Sequence, residues 1–272
     1  MMNSTFATSF ILACLVGAFD AQAAAVSITN AGFEADTIPG GAFVVLQPQG
    51  WSPYDPDNLL GSPSGVNAIG VIRPLPGTEY FPLGTTQGNN AALVFLAGNG
   101  NGEAGLQQTL AATLLPGQRY TLKVDIGNIA SGTSLPGSSG GAGVFFNLNG
   151  FPGYRLDLMA GASVLASDVN SIGATIPEGA FRTANLSFDA DLAAPALFGQ
   201  PLGIRLVNLK LPGSPGSPNI EVDFDHVRLD VSPVPEPAGL VMLLGGLLLL
   251  GALPRRRRAD VAASGQPEPT RA

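Results

Sequence analysis

Cysteine is almost missing from this chain of 272 residues, and so are tryptophan and histidine, at one residue each. The single cysteine, Cys14, sits inside an apolar N-terminal stretch, so no disulfide can staple the body of the protein and its core must hold unaided. Cys-based nucleophilic chemistry is excluded there too, and His226 alone is available for a Ser-His triad or a zinc site. Positive charge is scarce: Lys and Arg total 13 against 20 Asp and Glu, for a formal net charge of −7. Such a surface repels phosphate backbones, and nucleic acid is excluded as a partner. Helical periodicity is also lacking.

In its place stand 36 Gly and 23 Pro residues, which punctuate short runs alternating apolar and polar at period two. Tyr120, Leu122, Val124 and Ile126 are expected to face inward, with Arg119, Thr121, Lys123 and Asp125 outward. The same alternation recurs at Val144–Leu148, Tyr154–Leu158, Ala184–Phe188 and Leu202–Leu206. Strands are also expected over 66–72, 91–97 and 106–110. The spacing predicts one all-β domain, an antiparallel jelly-roll sandwich over residues 26–231. The Gly-rich stretches 98–102 and 131–143 read as loops and not as phosphate cradles, because no helix pattern follows them.

Two apolar runs flank this body. Phe6 to Phe19, followed by Ala21-Gln22-Ala23, predicts a signal peptide over residues 1–25. Near the other end come a short stalk, 232–237, a membrane helix over 238–254, and an Arg-rich cytoplasmic end with a polar tail, 255–272. As a helix, Ala238 to Leu253 spans about 24 Å against about 30 Å of hydrocarbon. The Arg cluster resists translocation and would leave the β domain on the far side of the membrane.

The order Val234-Pro235-Glu236-Pro237, apolar helix, Arg255-Arg256-Arg257-Arg258 resembles the PEP-CTERM sorting signal of Gram-negative bacteria. The resemblance implies an exosortase substrate, held at the inner membrane with its domain on the periplasmic side and then passed to the cell surface or extracellular matrix. The tail after Arg258 departs from that family's pattern. A second resemblance is carried by Asn30-Ala31-Gly32-Phe33-Glu34, Gly50-Trp51 and Val222-Asp223-Phe224-Asp225-His226-Val227-Arg228-Leu229. These are similar to the jelly-roll carbohydrate-binding modules and galactose-binding-like domains, and imply a structural calcium ion with Glu34 and Asp225 as its carboxylate ligands. His226 stands where Asn or Asp is usual in those modules.

In the closing strand the apolar parity switches at Asp225 and His226. A β-bulge there would re-aim Asp225. Alternatively the strand is buried on both faces and Asp225 is satisfied by backbone donors. Trp51, Tyr54 and Tyr80, with Phe81, lie in a loop-rich region where rings could stack on a sugar, although a lone Trp in a sandwich also serves as core. Carboxylates two apart, Asp189 and Asp191 or Asp223 and Asp225, could serve a glycosidase or stand as solvated strand faces. The expectation is a non-catalytic surface or matrix protein binding extracellular polysaccharide, the alternative a surface-anchored carbohydrate-active hydrolase.

Overall fold

The computed structural model describes residues 23–61, 67–98, 101–234, 245, 246 and 248. Two compact units divide the chain after Val234. The first is built of strands β1 (Ala24–Val26), β2 (Phe43–Val45), β3 (Ser52–Tyr54), β4 (Ala68–Ile72), β5 (Ala91–Phe95), β6 (Ala104–Thr113) and β7 (Gln118–Asn128). After them come β8 (Gly132–Thr133), β9 (Phe145–Phe146), β10 (Tyr154–Ala160), β11 (Ser163–Val169), β12 (Ala180–Asp189), β13 (Pro201–Asn208) and β14 (Glu221–Pro233). One sheet runs β12-β7-β14-β5-β4-β2, with β1 also on β14; the other runs β11-β10-β13-β6-β3. β8 and β9 form a separate hairpin. The expected all-β antiparallel sandwich is therefore the fold.

Alternation places the core between the sheets. Tyr120, Leu122, Val124 and Ile126 of β7 are buried there with Leu186 of β12, Leu156 and Leu158 of β10, and Ile204 and Leu206 of β13. The strand expected at Val144–Leu148 is shorter than the pattern suggests, reduced to Phe145–Phe146, and Phe145 is exposed. β11 escapes the pattern because it is an edge strand, paired only with β10 and exposed along most of its length.

β14 is central, and its register explains the parity switch. Asp225 pairs with Asp125 of β7, and the next pair is Arg228 with Lys123, so one residue is extra. His226 takes it up at φ 48, the left-handed region that bulges use. Upstream, Val222 and Phe224 enter the inter-sheet core; downstream, Val227 and Leu229 do. Glu221, Asp223 and Asp225 consequently face the opposite side. That side is not solvated, because loops cover it: a second apolar cluster there unites Ile72, Tyr80, Phe81, Leu93, Ile129 and Leu148.

Among the described residues no helix is long and apolar enough to cross a membrane, so the expected C-terminal membrane helix is not borne out. Nearly all of Ala238–Leu253 lies outside the described residues, as do Pro235, Glu236, Pro237, Arg255, Arg256, Arg257, Arg258 and residues 1–22 of the expected signal peptide. Val234 is described; its amide donates to the Gly117 carbonyl at 2.9 Å.

Candidate active site

Between the seven-stranded sheet and its covering loops lies a cavity of about 370 Å³. The sheet supplies Phe43 and Val45 from β2, Ala68 and Ile72 from β4, Leu93 and Phe95 from β5, and Glu221 from β14. Tyr80, Ile129, Phe146 and Leu148 close it from the loop side, with Ser139 and Gly140 at the tip of the β8–β9 hairpin. Two hydrogen bonds tie that tip to the β2 edge: Ser139 N–H donates to the Phe43 carbonyl, and Val45 N–H to Ser139 Oγ, both at 2.9 Å. Phe43 and Phe146 meet edge to face, centroids 5.3 Å apart.

Into this apolar space the fold places one acid, Glu221, and among the described residues no Lys or Arg lines it. Glu221 is 5% exposed, and burial pushes its carboxyl up to about 8. Asp223, on the same face two residues on, is fully buried, and neither of its oxygens has a hydrogen-bond partner among the described residues. Burial, then the neighbouring Glu221 charge, holds Asp223 well above the usual carboxylate range. Gly127 lies opposite it on β7 because a Cβ there would stand 2.6 Å from Phe181 Cε1 and 2.9 Å from Asp223 Cβ. Glu221 is therefore mostly neutral at neutral pH, Asp223 is held in the same direction, and a neutral carboxyl in an apolar pocket is a proton donor.

Tyr80, on the cavity wall, also lacks a partner among the described residues. Its hydroxyl is buried and unbonded, and burial, Glu221 and Glu79 push the phenol up to about 12. Its backbone is strained: φ is 67, in a three-residue turn closed by the Phe81 amide donating to the Glu79 carbonyl at 2.8 Å.

The structure disperses the other residues singled out by sequence. Trp51 is in the inter-sheet core, 1% exposed, against Phe33, its indole N–H donating to the Asn30 carbonyl at 3.1 Å. Tyr54 lies on the outer face of the five-stranded sheet, donating to Glu103 Oε1 at 2.8 Å beneath the Arg205 guanidinium. Only Tyr80 reaches the cavity. Asp189 is ion-paired with Arg119, and Asp191 accepts from the Gly117 amide.

Glu34 and Asp225 converge on one loop from opposite ends of the chain. Asp225 is fully buried; its Oδ2 accepts from the Thr86 and Gln87 amides and from Thr86 Oγ1, and its Oδ1 from the His226 amide. Burial raises its carboxyl to about 6, with those hydrogen bonds opposing. Glu34 Oε1 accepts from the Asn89 and Asn90 amides at 2.7 and 2.6 Å. Both expected features of β14 thus occur together, the bulge and the backbone donors to Asp225.

Sequence reasoning missed Glu221 outright and set Asp223 beside Asp225 as a glycosidase pair or a solvated face. The usable signal was an acid on every second position of a strand whose other parity is apolar.

Residues 24–230 match the family described as HpiC1-like, HpiC1 cyclase. A Stig cyclase, Fisc, from Fischerella sp. TAU, in complex with (3Z)-3-(1-methyl-2-pyrrolidinylidene)-3H-indole, is 39% identical. It has a TM-score of 0.66 and covers 79% of this chain and 100% of its own. A cyclase from Fischerella sp. TAU in complex with 4-(1H-indol-3-yl)butan-2-one is likewise 39% identical, TM-score 0.66, covering 78% of this chain and 99% of its own. An apo cyclase from Fischerella sp. is 37% identical, TM-score 0.65, covering 78% and 98%. No curated protein matches the chain.

These findings correct the functional expectation. The family is one of cyclases, so a non-catalytic surface or matrix protein gives way to an enzyme, and the carbohydrate-active hydrolase gains no support either. The PEP-CTERM and carbohydrate-binding-module resemblances are overturned by the same match. With them go the exosortase partner, the polysaccharide ligand, the membrane as partner and the inner-membrane, cell-surface or extracellular destination, all of which rested on those short motifs. A match over the whole sandwich outweighs them: the chain belongs to the HpiC1-like cyclase family.

Proposed function

We propose that this chain closes a ring in an apolar small molecule by acid catalysis, in the cavity between the seven-stranded sheet and the β8–β9 hairpin. The carrying observation is Glu221: a carboxyl that burial keeps protonated to about pH 8, on the wall of an otherwise apolar pocket. Glu221 gives its proton to a basic nitrogen or an electron-rich double bond of the substrate. The resulting cation is attacked by a second double bond or ring carbon of the same molecule, forming the new C–C bond. Loss of a proton back to the Glu221 carboxylate then restores both acid and neutral product. Atoms balance, as a cyclisation by isomerisation requires.

The walls suit such a path. Phe43, Phe95 and Phe146 line the cavity; a ring face turned to the substrate stabilises a transient cation, and their bulk excludes the water that would trap it. Among the described residues no Lys or Arg lines the cavity, so a neutral substrate suits it. The volume fits a small ligand. Two relatives were solved with indoles, and an indole-bearing substrate is the first candidate here. Tyr80, on the same wall system, is the ligand-binding residue of the sequence reading that belongs to this site.

A structural calcium ion is a separate part of the proposal. Its support is the convergence of Glu34 and Asp225 on the 85–90 loop, where Thr86 Oγ1 lies 2.9 Å from Asp225 Oδ2 and adds an oxygen. Among the described residues no group of three or more His, Cys, Asp or Glu gathers, so hydroxyl, amide and carbonyl oxygens would complete the shell. Bound there, the ion would pin the loop to β14 and take no part in the chemistry.

The test is Glu221→Gln. Titration calorimetry with 4-(1H-indol-3-yl)butan-2-one should show the probe binding to wild type and variant alike, whereas turnover of an alkenyl-indole substrate should be lost in the variant. Full turnover by Glu221→Gln would sink the proposal.

A further inference from the structure

Delivering its proton leaves Glu221 as an anion in an apolar cavity, and such a charge is costly unless a donor reaches it. Tyr80, Ser139 and Glu221 are the polar side chains lining the space. Ser139 Oγ accepts from the Val45 amide and keeps its own O–H, at the hairpin tip on the β2 edge. Asp223 shares the face of Glu221 from its own strand, Glu79 adjoins Tyr80 on the loop, and the lining side chains of β2, β4 and β5 are all apolar. Of the side chains that line the cavity, Tyr80 carries the hydroxyl that is buried with no partner among the described residues.

Three features set Tyr80 apart. Its hydroxyl is buried with no partner among the described residues, an arrangement that costs stability unless a partner appears at some stage. Its backbone is held at φ 67, and the Ala130 amide donates to its carbonyl at 3.0 Å, so the ring is aimed at the expense of backbone strain. On its flank Gly132 leaves room for the ring, since a Cβ there would lie 3.0 Å from Tyr80 Cε1.

We propose that Tyr80 is a positioning residue for the acid: its O–H donates a hydrogen bond to the Glu221 carboxylate once Glu221 has passed its proton to the substrate. The phenol keeps its own proton throughout. The bond is absent while Glu221 is neutral and present while it is ionised, so it stabilises the state that follows proton transfer and not the resting enzyme.

The inference rests on Glu221 being the acid, and one titration separates the two. The whole chain is labelled at the glutamate carboxyl carbons with carbon-13 and titrated by NMR from about pH 3 to 11, with no substrate. The resonance absent from Glu221→Gln should titrate near pH 8 in the wild type. In Tyr80→Phe, which keeps the ring and removes only the donor, it should titrate about one pH unit higher, because the charged form has lost a hydrogen bond. Replacing Tyr80 with a fluorotyrosine, a stronger donor, should move it the other way. A Tyr80→Phe midpoint equal to that of wild type would overturn the Tyr80 assignment and leave the acid standing. A Glu221 resonance titrating at the ordinary value near 4.5 would overturn both.

Discussion

Replacing Glu221 by Gln changes one atom and removes one acidic proton, so the expected losses can be worked from burial alone. With its carboxyl raised to about 8, Glu221 is about nine-tenths protonated at pH 7. A glutamate at its ordinary 4.5 would be protonated about 0.3% of the time, so the buried site holds about 300-fold more acid at working pH. General acid catalysis contributes about 10²–10⁴ in rate, and Glu221→Gln should lower kcat by that factor, about 3–5 kcal/mol of barrier. Wild-type kcat/KM should be flat below pH 8 and fall about tenfold per unit above it. Stability carries the same signature. The folded-state value lies above the unfolded one, so the folded chain binds the extra proton between about 4.5 and 8. Its contribution is complete below pH 4.5 and lost as pH rises to about 8. Scanning calorimetry should therefore show the wild-type Tm falling across that window more steeply than that of Glu221→Gln. A variant keeping more than about a tenth of wild-type kcat, or a wild-type rate that climbs with pH through 8, would refute the acid.

Other outcomes follow from packing and hydrogen bonds. Trp51→Ala should cost about 3–5 kcal/mol in urea unfolding, since it empties the inter-sheet core, while leaving the affinity for the indole ketone unchanged in the protein that remains folded. Asp225→Ala strands four donors around the 85–90 loop and should destabilise by several kcal/mol, with proteolysis cutting first in that loop. If the proposed calcium ion is resident, a chelator should lower the Tm of the wild type and leave that of Asp225→Ala where it is; an unchanged wild-type Tm would count against the ion. Phe146→Ala should enlarge the cavity at the hairpin and weaken the indole ketone, read by calorimetry, with little change in Tm because Phe146 is only partly buried.

Much of the scaffold was legible because alternation is a local property. Tyr120 to Ile126 announce β7 and its buried face, and the parity switch at Asp225 and His226 announces the bulge. The candidate site was not legible in the same way. Glu221 and Asp223 occupy positions that, on an open sandwich, would meet water. They are buried only because the 74–90 and 129–150 segments, remote in sequence and written in Gly, Pro and Ser, fold over that face. Nothing in the spacing of a strand says whether a loop will cover it. Trp51 left two readings open, a ring for stacking on a sugar or a core residue, and packing against Phe33 decides for the core.

The extra residue at His226 makes the length of β14 a matter of identity as well as register. One ribbon serves two rooms, an oily one at its far end and an acidic one before it, and a single residue is the doorway between them. Removing His226 would turn the half beyond it over, sending Val227 and Leu229 outward and Arg228 into the interior. Descendants of this chain can therefore drift in composition along the ribbon more freely than they can gain or lose a residue between Glu221 and Leu229.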